Sequence, residues 1–185
     1  MTKNTQSDST PNRLVRACRM HFYFVLLLAI QIMLYDAWKL ITPEAVLQRW
    51  LVAAGLLIAT TVVWYLAKNP GNDSGRTKRL VFSLVAVDIV AVSTIIYMTR
   101  GMASRAVLLY IIPIVTAAAL QSRTALFASA FFSIAAYTST AVAYFVLNFN
   151  EGYKIELYGE VGFYSAGLLL LAGLLWAVIK VPRNG

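Results

Sequence analysis

Long apolar runs separated by short polar interruptions dominate the chain. Residues 20–40, 45–67, 80–99, 106–121, 125–147 and 160–179 are mostly apolar. Each run except the fourth holds the roughly 20 residues that a helix needs to cross a hydrocarbon core of about 30 Å. The pattern predicts an all-α integral membrane bundle of six transmembrane helices over residues 20–180. Residues 1–19 are expected to form a disordered basic cytoplasmic tail, and 181–185 a short cytoplasmic tail. The interruptions carry helix-boundary chemistry. Thr42-Pro43-Glu44 reads as a cap followed by proline at the first helical position, and Lys68 to Gly75 is rich in turn formers. Only Ser122-Arg123-Thr124 separates the fourth and fifth runs. A re-entrant hairpin there would lower the number of crossings to four without moving either terminus.

Composition agrees with that reading. The chain is 59% hydrophobic and 13% charged, against about 25% charged in an ordinary soluble domain. The formal charge of +8 comes from basic residues at the ends of apolar runs. That is the pattern of orientation charges, and it argues against a nucleic-acid partner. With the amino terminus inside, eleven Lys and Arg fall on the inner side: Lys3, Arg13, Arg16, Arg19, Lys68, Arg76, Lys78, Arg79, Arg123, Lys180 and Arg183. Five fall outside, Lys39, Arg49, Arg100, Arg105 and Lys154. Both termini are therefore expected in the cytoplasm, with the chain in a bacterial-type inner membrane. The first run lacks a small-x-small cleavage site and reads as an uncleaved anchor. The single cysteine, Cys18, excludes an intramolecular disulfide and reads as a bland residue near a helix end, with palmitoylation a minor option.

Few residues offer chemistry. Asp88 falls near the middle of the third run, where an acid costs about 2.5 to 3.5 kcal/mol on insertion scales and suggests a functional site or an internal partner. A structural hydrogen bond to the Tyr137-Thr138-Ser139-Thr140 stretch competes with proton or ligand sensing. Arg100 and Arg105 bracket Gly101 in an outer loop, where they either attract an anion or lipid headgroups, or snorkel to the interface. Pro113 should kink the fourth helix. Ala125, Ser129, Ser133 and Ala141 recur at intervals of four, interrupted by Tyr137, and predict a close-packing face in the bundle interior or at a dimer seam. Tyr and Trp near run ends suit an interfacial belt, and His21, where the first span begins, reads as an interfacial residue. One histidine cannot build a metal cluster, and no cofactor is indicated. Phosphate-binding loops, H-E-x-x-H and G-x-S-x-G are absent from the sequence, which supports no enzyme.

Asp88, then Thr99 to Arg105, Leu109-Tyr110-Ile111-Ile112-Pro113 and the alanine-rich stretch to Arg123-Thr124-Ala125 resemble the multi-span sensor region of bacterial two-component histidine kinases. The resemblance covers about residues 80–140. Met102 stands near the family's second glycine, and Arg105 replaces its proline. The resemblance implies a non-catalytic module of signal reception, with Asp88, Arg100, Gly101, Arg105, Tyr110 and Pro113 as candidate signal residues. The chain reaches Gly185 without the phosphoacceptor and ATP-binding domains of a kinase. A separate kinase or response regulator is then an expected partner, beside the lipid bilayer and a homodimer. The competing classes are a small-molecule-binding subunit of a membrane transporter and a structural membrane protein. Against transport, no pair of interrupted spans occurs in corresponding halves.

Overall fold

A computed structural model of the chain describes residues 10–68, 74–99, 101, 104–148 and 154–179. Its helices are α1 (Thr10–Ala37), α2 (Pro43–Lys68), α3 (Ser74–Met98), a 3₁₀ turn (Arg105–Tyr110) that runs into α4 (Ile111–Ala118), α5 (Arg123–Asn148) and α6 (Lys154–Val178). No strand occurs among the described residues. Five of the helices are long and apolar enough to cross a membrane; the segment Arg105–Ala118 is shorter.

The ends of these helices follow local rules. Thr42 caps α2 by accepting the Ala45 N–H at 3.3 Å, with Pro43 at the first helical position. At the end of α1, Lys39 takes a left-handed conformation (φ 51°) and the Leu40 N–H reaches back to the Tyr35 carbonyl at 2.9 Å. That is the Schellman closure, made here without glycine. Ser122 opens α5, its hydroxyl accepting from the Ala125 N–H at 3.4 Å.

The α1 helix starts at Thr10, so residues 10–19, expected in a disordered tail, are helical instead. Its buried positions Leu14, Cys18, His21, Val25, Leu28 and Ile32 recur every three or four residues and draw the added turns onto the core. Cys18 is thereby fully buried against α2 and α3, inside α1 and not near its end. Residues 1–9 and 180–185 lie outside the described set.

The fourth passage is a full traverse and not a re-entrant loop. Tyr97 near the end of α3 meets Tyr144 near the end of α5, with ring centroids 5.6 Å apart, so α3 and α5 run the same way. Ala117 at the end of α4 packs with Val81 and Leu84 near the start of α3, while Ala106 and Leu109 pack by Ile95. Residues 105–118 therefore run back along α3 and return the chain to the end where α5 begins. The described helices run along the bundle six times, with the start of α1, the end of α2, the start of α3, the α4–α5 turn and the end of α6 toward one end, and their opposite ends toward the other.

Within this order α1 packs on α2, α2 on α3, α3 on α4 and α5, and α5 on α6. Two apolar clusters occupy the α1–α3 region. One, at the terminal end, holds Leu14, Cys18, Val63, Val81 and Leu84; the other, at the loop end, holds Val25, Leu28, Ile32, Leu56 and Ile95. A third cluster unites the end of α3 with α4, α5 and α6.

Candidate functional site

Three helices each bury one stripe at helical spacing, and each stripe has a polar residue between its apolar ones. On α1 it is His21. On α2 it is Thr60, within Ala53, Leu56, Thr60, Val63 and Ala67. On α3 it is Asp88, within Val81, Leu84, Val85, Asp88, Val92, Ile95 and Ile96. His21, Thr60 and Asp88 are 2%, 0% and 1% exposed, and they meet in the layer between the two apolar clusters of α1–α3.

The chain of hydrogen bonds fixes the histidine tautomer. The Thr60 hydroxyl donates to the Leu56 carbonyl at 2.7 Å, so its oxygen accepts from His21 Nδ1–H, 2.6 Å away. His21 Nε2 then faces Asp88 Oδ1, with which it pairs directly. The pair sets a cation-forming and an anion-forming side chain in direct contact away from water, where an unpartnered charge would be costly. The Thr116 hydroxyl of α4 faces the same carboxyl, while Oδ2 closes no hydrogen bond of ordinary geometry among the described residues. The cluster thus joins α1, α2 and α3, with α4 alongside. Phe24 braces the imidazole edge-on at 6.0 Å.

The structure corrects several sequence readings. His21 is a buried partner and not an interfacial residue, because the early start of α1 moves it inside the bundle. Asp88 bonds to His21 instead of to the Tyr137 to Thr140 stretch. Pro113 stands in the first turn of α4, just after the helix type changes from 3₁₀ before Ile111 to α after it, and its carbonyl accepts the Ser129 hydroxyl at 2.9 Å.

The other candidates lie apart from this cluster. Gly101 takes φ +59°, and a Cβ there would come 2.6 Å from the Tyr144 side chain, so the turn requires glycine for both backbone and space. Arg105 is exposed and lines a pocket with α1–α3 residues; Arg100 lies outside the described residues. Tyr110 is fully buried, its hydroxyl 2.7 Å from Ser93 Oγ. On α5, Ala125, Ser129, Ser133, Tyr137 and Ala141 are all buried, and Tyr137 stands edge-on to Tyr110 and Tyr164 at 6.4 and 5.8 Å. Among the described residues no group of three or more His, Cys, Asp or Glu could hold a metal. His21, Thr60 and Thr116 were not anticipated as site residues. The signal that would have found the first two is a polar residue in register with a buried apolar stripe.

A family model described as a PilS-like transmembrane domain matches residues 1–180. Neither the characterised proteins nor the solved structures compared with the chain include a match.

Proposed function

The chain belongs to the family of PilS-like transmembrane domains, six-span sensor regions of histidine kinases, and we propose that it receives its signal as a change in how α1 packs against α3. The observation that carries this reading is the buried His21–Asp88 pair with Thr60, a polar joint between three helices of an otherwise apolar bundle. A buried pair of this kind resists gradual deformation: it is either made, or it leaves an unpaired polar group in the apolar interior at high cost. The joint therefore biases the bundle toward two arrangements and passes the choice to the end of the bundle where the chain leaves it. The charge count over the loops supports a cytoplasmic orientation of that end in a bacterial-type inner membrane. Reporter fusions after Arg123 should then read cytoplasmic, and fusions at Glu44 external; the reverse pattern would overturn this orientation.

The reading is tested by the phosphoryl output of the kinase this module serves, measured in native membranes. Asp88→Leu should lock the output at one level, insensitive to stimulus. Asp88→Asn, which can still donate a hydrogen bond to His21 Nε2, should retain part of the response. The exchanged pair, His21→Asp with Asp88→His, should recover more of it than either single exchange. A stimulus response at the wild-type level from Asp88→Leu would remove the joint from signalling.

A further inference from the structure

At the loop end of the bundle, beyond the cluster that contains Leu28, Ile32 and Ile95, α1, α2, α3 and the 3₁₀ turn surround a cavity of about 490 Å³. Its apolar wall includes Ile32, Ile95, Leu108 and Leu109, and its polar lining includes Arg49 of α2 and Arg105 of the 3₁₀ turn. The two guanidiniums are held differently. Arg49 lies over the Tyr35 ring, 5.3 Å from its centroid, and Tyr35 is itself fixed by the Gln31 amide, which donates to its hydroxyl at 3.1 Å. Arg105 is positioned by its backbone. The Thr99 hydroxyl donates to the Ile95 carbonyl at 2.6 Å, Ser104 Oγ lies 2.5 Å from Thr99 Oγ1, and the same Ser104 oxygen accepts from the Ala106 N–H at 3.2 Å. These bonds occupy the two hydroxyls and set the start of the 3₁₀ turn.

What remains facing the cavity is cationic. No carboxylate stands within ion-pair distance of Arg49 or Arg105 among the described residues. Two arginines in the lining of one cavity, without a counter-ion among the described residues and beside an apolar wall, suit a ligand with an anionic head and an apolar body. We propose that this cavity binds a phosphate-bearing amphiphile, with Arg49 and Arg105 on the phosphate, the Gln31 amide as an additional donor, and an apolar chain along Ile32, Ile95 and Leu109. The same phosphate chemistry is offered by an acidic phospholipid of the surrounding leaflet and by free phosphate. The apolar wall selects the lipid, because a free anion would leave that wall wetted and its own charge close to hydrocarbon. This site is separate from the His21–Asp88 joint and does not depend on the role given to that joint, although the occupant would touch α1, α2 and α3 together.

Binding is tested on the full chain purified in mild detergent, by native mass spectrometry and thermal stability, with dioleoyl phosphatidylglycerol, dioleoyl phosphatidylcholine or inorganic phosphate as probe. Phosphatidylglycerol should bind saturably and at least about tenfold more tightly than phosphatidylcholine, and each arginine replaced by glutamine should weaken it by about tenfold. Arg49→Lys with Arg105→Lys should retain part of the affinity, since charge remains while the paired N–H geometry is lost. This pair also preserves the test if the glutamine variants fail to fold. Arg123→Gln, at the opposite end, should leave binding unchanged. The proposal is overturned if phosphatidylglycerol and phosphatidylcholine bind the wild type equally, or if a folded Arg49→Gln/Arg105→Gln variant retains wild-type affinity. Inorganic phosphate that binds as tightly as phosphatidylglycerol, and only with both arginines, would overturn the lipid occupant in favour of a free anion.

Discussion

The α1–α3 and α4–α6 regions are held together by different means. In the first, one hydrogen-bonded chain from Leu56 through Thr60 and His21 to Asp88 crosses three helices, flanked on both sides by aliphatic residues. In the second the contacts are distributed: the small face of α5 lets α4 approach to hydrogen-bond distance at Ser129, and Tyr137 makes T-shaped contacts with both Tyr110 and Tyr164. Lipid tails are as apolar as leucine, so burial alone gives helices in a bilayer little reason to associate. The bundle answers that problem once with a polar joint and once with close packing. A joint fails at a single residue, whereas packing fails by degrees.

That contrast can be broken most sharply at Asp88. Asp88→Leu leaves the buried imidazole without its partner, and should lower the free energy of unfolding in detergent by about 3 to 5 kcal/mol. His21→Leu combined with Asp88→Leu should cost much less than the sum of the two single changes, because no unpaired group remains. Additive losses would mean that the pair does not act as a unit.

A smaller effect is expected in the packed half. Ser133 is fully buried on α5, whereas Phe131 is 59% exposed. Ser133→Leu should therefore cost about 1 to 3 kcal/mol by overpacking, and Phe131→Leu close to nothing, in the same denaturation assay. Equal tolerance of both would place the small face toward lipid. The smallest change is Tyr110→Phe, which removes the hydroxyl 2.7 Å from Ser93 and leaves the aromatic contacts in place. A loss of about 0.5 to 1.5 kcal/mol is expected. A loss as large as that of Asp88→Leu would show that the second half also depends on a single polar joint.

Much of this arrangement is legible in the chain, and the remainder is hidden for a physical reason. Apolar runs mark the crossings, and the four-residue spacing from Ala125 to Ala141 marks a packing face, because both are local properties of one helix. The pairing of His21 with Asp88 spans 67 residues, and no local pattern states which stripe faces which. Asp88 stands out because it is an acid inside an apolar run. His21 does not, because the Arg-rich stretch before it disguises the first turns of α1 as a tail. The stripe from Leu14 through Cys18 to His21 was the available evidence that the helix had already begun.

The fourth passage has a consequence for the surrounding lipid. Its six 3₁₀ residues rise about 2.0 Å each and its eight α residues about 1.5 Å each, a reach of about 24 Å against a hydrocarbon core of about 30 Å. Leu108 and Val115 on this segment are 59% and 40% exposed, so the shortfall is presented directly to acyl chains. Its two ends are corners with little slack: the glycine turn closed on Tyr144 at one, and Gln121, held at φ 50°, at the other. Among the six passages, this shortest one is where hydrophobic mismatch with a bilayer would fall most heavily, next to those two corners.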